Sequence, residues 1–384
     1  MILKIPLPWL QLTYKKMRFF VALMGIGFAV MLMFLQLGLR DALFDSAVRL
    51  HKSLECDIIL LSPLSTASIA MQSFSQRYLY QALGFEGVES VSPVYVDFGV
   101  WKNLKTRRAR LIFVIGFNPT KAVSNLPDLP NNIDQLKLED VALFDRASRP
   151  EFGTIPDEYN QGERVIVEVS GHRLKIGGLF QLGTSFGSDG NLIMSDDNFL
   201  RVFTHRSKGL IDIGLIKLKS GVNAQWVLAN LRKSLDKGVN VLSKQDYIDF
   251  EKNYWNTSTA IGFIFDLGAM VGFTVGTVIV YQILYADVSD HLFEYATLKA
   301  MGYTNNYLLS VVFQESLILA SLGYIPGMAI SLALYAVVKN ATLLPIAMSF
   351  SRALLVLALT IVMCLISGII AMQKLRDADP VDIF

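Results

Sequence analysis

Four apolar stretches, each long enough to cross a lipid bilayer, constrain this chain more than anything else in its sequence. A helix needs about 20 apolar residues to span the hydrocarbon core. The sequence supplies them at 19–39 (FFVALMGIGFAVMLMFLQLGL), 259–286, 307–338 and 353–373. In lipid every backbone N–H and C=O has to be satisfied within the segment, so each stretch is expected to be a transmembrane helix. The first is longer than the apolar core of a cleaved leader, and no small-residue cleavage site follows it closely. Composition agrees, because 52% of the 384 residues are hydrophobic and only 18% are charged, too apolar for an ordinary soluble protein. The net charge of +2 identifies no partner, and the two cysteines, Cys56 and Cys364, supply no disulfide framework.

Lys4, Lys15, Lys16 and Arg18 precede the first stretch with no acid among them, which keeps that end cytoplasmic. The expected organisation follows. Residues 1–18 form a cytoplasmic amphipathic N-terminus and 19–39 the first transmembrane helix. Residues 40–258 lie outside, 259–286 cross back, and 287–306 form a cytoplasmic loop. Residues 307–338 and 353–373 are the last two helices, joined by an outer loop at 339–352, and 374–384 are a cytoplasmic tail. The inner loop (Asp287, Asp290 and Glu294 against Lys299) and the tail (Asp377, Asp379 and Asp382 against Lys374 and Arg376) add no positive excess, so the first span carries the orientation.

Within 40–258, β-rich runs at 57–63, 91–101, 109–117 and 163–169 alternate with Asn, Asp, Gly and Pro clusters. An alternating strand at 210–219 is followed by a helix at 223–235. In that helix Val227, Leu228, Leu231 and Leu235 share one face, and Asn223 stands at the cap position. A further strand at 239–243 completes a β-α-β unit, and 244–258 read as a helix running into the second span. The fold class is therefore an α-helical membrane protein with four transmembrane helices plus a large α+β extracytoplasmic domain inserted between helices 1 and 2.

The sequence holds no phosphate-binding G-x-x-x-x-G-K-[ST] loop. The glycine-rich stretch at 177–190 lacks lysine and reads as loops and turns. His51, His172, His205 and His291 have no metal-ligand spacing, and no nucleophile elbow is present. No catalytic residue, cofactor or metal is expected. The basic run KNLKTRRAR (102–110) reads as a solvated hairpin tip, or as a contact for an acidic partner or lipid headgroups. Nucleic acid is not expected as a partner. Asp266 and Glu315 are acids inside spans, which either snorkel to the interface or face a functional interior. Gly268, Gly272 and Gly276 form a small-residue stripe that lets helices approach closely, either against the first span of the same chain or across a homodimer axis.

Between the second and third spans, Ser289 to Met301 read as a short amphipathic helix with Val288, Leu292 and Tyr295 at helical spacing and Gly302 as its stop. Such a helix either rests on membrane lipid or docks in a partner's groove. The segment FEYATLKAMGYTNNYL resembles the corresponding segment of FtsX-like/MacB-type ABC transporter permeases. Glu294, Leu298, Lys299, Ala300, Met301 and Gly302 match the family pattern; Ala296 stands where glycine is common and Tyr303 replaces a small residue. The layout of one span, a large outer domain and three further spans is similar too, as is the ending, where Asp379, Pro380 and Val381 match. Likeness runs further to the DevC-type branch, through the opening PLPWLQLTYKKMRFF and its continuation.

The resemblance implies a periplasmic MacB-like core domain at 40–258 and a non-catalytic inner-membrane permease subunit of a mechanotransmission exporter. It implies as partners a separate DevA-like ABC ATPase, a DevB-like membrane-fusion adaptor and a TolC-like outer-membrane duct, with a glycolipid or another amphiphile as cargo. The ATPase-coupling residues would be Leu292, Glu294, Tyr295, Leu298, Lys299 and Gly302, with Leu292, Tyr295 and Leu298 as the docking ridge. The alternatives are an FtsX-type regulator of cell-wall hydrolases and a lipoprotein-releasing permease.

Overall fold

The computed structural model describes residues 7–103, 108–235 and 237–377. In chain order the helices are α1 (Leu7–Tyr14), α2 (Lys16–Ala47), α3 (Arg49–Ser53), α4 (Arg77–Leu83), α5 (Leu129–Asn132), α6 (Ile155–Asn160), α7 (Asp196–Val202), α8 (Ala224–Ser234), α9 (Lys244–Asn253), α10 (Ala260–Asp290), α11 (Leu292–Ala300), α12 (Asn305–Thr342) and α13 (Phe350–Asp377). The strands are β1 (Ile58–Leu61), β2 (Phe74–Ser75), β3 (Val88–Lys102), β4 (Ala109–Phe117), β5 (Val141–Asp145), β6 (Ile166–Val169), β7 (His172–Phe180), β8 (Asn191–Ser195), β9 (Leu210–Ile211), β10 (Ile213–Leu218) and β11 (Asn240–Ser243). The chain forms two compact units. One comprises residues 1–42, 261–341 and 346–384, and the other residues 43–260 with 342–345. The architecture is four apolar membrane-length helices with a large mixed α and β domain between the first and second.

In the second unit, the one expected to lie outside the membrane and called the outer unit for that reason, nine strands pair in the order β11-β1-β10-β3-β4-β8-β5-β7-β6, and β3 also pairs with β6. The fifteen-residue β3 makes this possible. One edge of its first half, from Val88 to Val94, pairs antiparallel with β10. Its second half pairs with β4 from Val94 to Lys102, and at Trp101 and Lys102 it meets Val169 and Glu168 of β6. Strands β3, β4, β8, β5, β7 and β6 thus close a ring, while β10, β1 and β11 extend from β3 as an open wing. Where β10 parts from β3, buried Asp212 takes over the ladder: its Oδ2 accepts the Val96 N–H at 2.9 Å, its Oδ1 accepts Ser73 Oγ–H at 3.0 Å, and Arg206 pairs with it.

Successive residues point to opposite faces of a sheet, and both faces are covered here. Ile58, Leu60, Ile112, Val114, Ala142 and Phe144 enter one buried cluster. Their neighbours Ile59, Leu61, Phe113, Ile115 and Leu143 enter another. Strands β5 and β8 are buried at every position, so they carry no alternation, and periodicity did not single them out. Strand β7 takes in the first four residues of the 177–190 glycine-rich stretch, which is strand there rather than loop.

The β-α-β unit is present as β10, α8 and β11, with a difference in pairing. Strand β1 lies between the two, antiparallel to both: Ile58 faces Ile216 on one side and Ser243 on the other. Asn223 caps α8, its Oδ1 accepting the Gln225 and Trp226 N–H groups at 3.0 and 3.2 Å, and Val227, Leu228 and Leu231 are buried. The helix expected to run from 244 into the second span is interrupted. Helix α9 ends at Asn253, a π turn follows, and Thr259 is extended at φ −121°. Cys56 is buried, which pushes its thiol up to about 12.

The ring interior is filled by aromatic side chains: the Trp101 ring lies 5.3 Å from Phe144 and 5.8 Å from Phe152, centroid to centroid. Truncating Phe144 to alanine leaves a cavity the ring cannot collapse around, at a cost of about 3–5 kcal/mol. Thermal unfolding of the purified chain, followed by tryptophan fluorescence, will show the outer-unit transition lowered by many degrees.

Candidate functional site

Helix α11 joins the ends of α10 and α12. Nine residues are too few to hold a helix by propensity alone, so α11 depends on packing. Tyr295 is only 1% exposed and sits in a cluster with Val288, Val311, Val312 and Met372, with Leu292 and Leu298 packed against it. Tyr295, expected on an outward docking ridge with Leu292 and Leu298, is thus buried, and the two leucines are partly buried against the same cluster. The outward face belongs to Phe293 and Met301, 59% and 64% exposed, with Glu294 and Tyr303. Lys299 is half-buried. Gly302 ends the helix at φ +93°, the left-handed turn that glycine adopts without strain. The Tyr303 N–H reaches the Leu298 carbonyl at 3.1 Å, and the Gly302 N–H reaches that of Lys299 at 3.0 Å, closing the terminus.

The charges around α11 are tied down. Asp290 accepts from Lys15 Nζ at 2.6 Å and from Arg18, two residues that sequence reading used only for orientation. This fastens the start of α2 beside the end of α10. The intramembrane acids differ from each other. Asp266 pairs with Arg40 on α2 at 2.7 Å. Glu315 on α12 is fully buried, and neither of its carboxylate oxygens has a hydrogen-bond partner.

Gly268, Gly272 and Gly276 all face α2 of the same chain. A methyl at Gly272 would stand 3.3 Å from Leu32 Cβ, and one at Gly276 would stand 2.7 Å from Ala29 Cβ and run into Met363 Sδ on α13. A methyl at Gly268 would meet the Gln36 amide. Sequence reading missed a second small-residue pair, Gly323 and Gly327 on α12, also at four-residue spacing. A methyl at Gly327 would lie 2.7 Å from the Gly27 carbonyl of α2, and one at Gly323 would lie 2.7 Å from Ile26 Cβ. Helix α2 therefore lies against α10 and α12 at backbone distance. It is also hydrogen-bonded by Tyr335, which donates to the Phe34 carbonyl at 2.5 Å. Buried Arg352, at the start of α13, grips Asp41 of α2 through Nη2 at 2.6 Å and Nε at 3.0 Å.

In the outer unit a small cavity of about 40 Å³ is lined by Leu50, His51, Ser68, Phe113, Asn191, Glu251 and Trp255, among others. Here α3 and α9 are joined through side chains. Ser68 Oγ lies 3.0 Å from His51 Nε2 and donates to Glu251 Oε2 at 3.0 Å. The Ser68 N–H donates to the same oxygen at 2.8 Å and Trp255 Nε1 to Oε1 at 2.9 Å. Burial alone would push the Glu251 carboxyl up, but hydrogen bonds and charge from His51, with those from Ser68 and Trp255, hold it below the usual range. This is not a nucleophile arrangement, because the serine hydroxyl is spent on the carboxylate. Nearby Asp145 accepts from Leu182, Gly183, Ala147 and Asn191, yet burial outweighs these bonds and pushes its carboxyl up.

Of the basic run, Lys102 pairs with Glu168 at 3.4 Å and Arg110 with Asp189 at 3.3 Å, while 104–107 fall outside the described residues. So do 1–6 of the N-terminal segment and the Asp379, Pro380 and Val381 ending. Among the described residues no group of three His, Cys, Asp or Glu could hold a metal ion.

Residues 267–380, which include α11, match the family model described as FtsX-like permease C-terminal. No curated protein matches the chain. Three solved structures are similar at low identity. The periplasmic region of MacB from Actinobacillus actinomycetemcomitans is 12% identical at a TM-score of 0.36, over 54% of this chain and 96% of that one. The extracellular domain of the noncanonic ABC-type transporter YknZ from Gram-positive bacteria is 13% identical at 0.32, over 48% and 98%. A domain of a putative permease protein from Porphyromonas gingivalis is 12% identical at 0.30, over 50% and 89%.

Two outcomes are expected. Leucine at Gly272 overpacks the α2–α10 contact, which costs about 1–3 kcal/mol, and the variant will melt earlier in detergent than the parent chain. Glu251 contributes stability above its unfolded pKa of about 4.3, and the contribution is lost as pH falls through its lower folded value. Glu251→Gln will therefore flatten the loss of stability on acidification, measured as the melting temperature of variant and parent from neutral to acid pH.

Proposed function

We propose that this chain is the membrane-spanning, non-catalytic subunit of an ABC exporter of the FtsX/MacB type, in which ATP is hydrolysed by a separate polypeptide. The observation that carries the reading is α11. It lies between two membrane helices and inside the segment that matches the FtsX-like permease model. It is anchored by a buried tyrosine, and it presents Phe293, Glu294 and Met301 outward. A short helix packed at one face and exposed at the other suits docking into a groove of an ATPase.

Motion received there would pass through the α11 anchor to α10 and α12, and from them to α2, which they touch at backbone distance. Helix α2 is unbroken from Lys16 to Ala47. In this reading both termini and α11 are cytoplasmic and residues 43–260 are periplasmic. The outer unit drives cargo, a glycolipid or another amphiphile, toward a membrane-fusion adaptor and a TolC-like duct. A homodimer would pair through faces other than the glycine stripe, which the chain's own α2 occupies.

The test is a cysteine scan of α11 with crosslinking to the co-expressed ATPase. Positions 293 and 301 will crosslink and the buried position 295 will not. Glu294→Lys will depress ATP-dependent export about tenfold or more at unchanged protein level, since a charge lost from a buried interface pair costs about 2–5 kcal/mol. Crosslinks confined to the tail, with full export in the Glu294 variant, would remove α11 from the coupling role.

A further inference from the structure

Glu315 is the one fully buried carboxyl of the described membrane unit with neither oxygen engaged. The neighbouring Ser316 offers no donor, because its hydroxyl is committed to the Val312 carbonyl at 2.8 Å. Gly368 brings α13 so close that a methyl there would stand 2.6 Å from Ser316 Oγ. A second acid, Asp287 of α10, flanks the same cluster, since Val288 beside it packs with Val311 and Val312, one turn before Glu315; Asp287 is itself buried with Oδ2 unpartnered. Of the other titratable groups around Asp287, His291 stands 3.8 Å from its Oδ1. Lys15 and Arg18 are engaged by Asp290, and Glu294 on α11 is exposed. Helix α13 contributes Ser367, Gly368 and Met372 to this region, none of them charged.

An ionised carboxylate closed off without a donor costs several kcal/mol, and a second like charge nearby raises that cost. Such a group is neutralised by binding something. A multivalent ion needs more ligands than this site has, since no group of three His, Cys, Asp or Glu could hold a metal among the described residues. We infer that Glu315, with Asp287 beside the same cluster, is a proton-binding site in the membrane unit. The bound proton supplies the missing hydrogen-bond donor and removes the repulsion. Asp287 directly precedes Val288 and stands four residues before His291, and Val288 packs with Tyr295 of α11. Release of the proton would place like charges beside the cluster that holds α11, so the site makes that anchor responsive to pH. This inference is independent of whether the chain drives export.

Labelling with dicyclohexylcarbodiimide tests it on the full-length chain in detergent. The carboxyl proton moves to a reagent nitrogen and the carboxylate oxygen bonds to the reagent carbon. Acyl migration then leaves an N-acylurea carrying the whole reagent mass. Peptide mass spectrometry will find Glu315 modified at neutral pH, with the yield falling about tenfold per pH unit beyond its midpoint and no modification at this position in Glu315→Gln. Asp287→Asn, which keeps Glu315 in place, will move the midpoint to lower pH by removing the like charge. An unlabelled Glu315, a yield indifferent to pH, an unmoved midpoint in Asp287→Asn, or protection by sodium or potassium ions at constant pH would each overturn the proton assignment.

Discussion

A charge removed from water without a partner costs several kcal/mol, and the membrane unit is arranged around that cost. Arg352 holds Asp41, Arg40 holds Asp266, and Lys15 with Arg18 holds Asp290. The first fastens α13 to α2, and the other two fasten the two ends of α10 to α2 and to the residue just before it, so the charges that would be expensive alone become the ties of the bundle. Between these ties α2 meets its neighbours through glycines, where dispersion contacts between backbones replace the hydrophobic effect that lipid cannot supply. Glu315 departs from the pattern, with neither oxygen engaged.

The same economy governs the outer unit. Its carboxylates are buried only where donors converge: Asp212 where two strands part, Asp145 beneath the 182–183 turn, Glu251 between α3 and α9. Helix α3 follows the first membrane helix in the chain, and α9 precedes the second. A cross-link of side chains at that point binds the two segments that enter the outer unit, so they are held as one rather than as two independent tethers.

The apolar length of 19–39 and its three counterparts was legible because lipid leaves few alternatives to a helix. The α8 cap and its buried face were legible for a local reason, since Asn223 and the 3.6-residue spacing lie within one segment. Strands β5 and β8 were not, because a fully buried strand has no alternation to read. The direction in which α11 faces was hidden for a different reason. Tyr295 and Phe293 are both large and apolar, and only the positions of Val311 and Met372, brought in by other helices, decide which of them is buried. Arg352 with Asp41, and Gly323 with Gly27, are partners across hundreds of residues, and no single segment announces them.

Strand β3 belongs to both the closed ring and the open wing, and its two halves cannot form separately without leaving the other's edge unpaired. Loss of the ring exposes the hydrogen-bonding edge of the wing, and loss of the wing strips Asp212 of its strand partners. The outer unit therefore melts as one cooperative block, and the amide protons of β3 will be among the slowest in the chain to exchange with solvent.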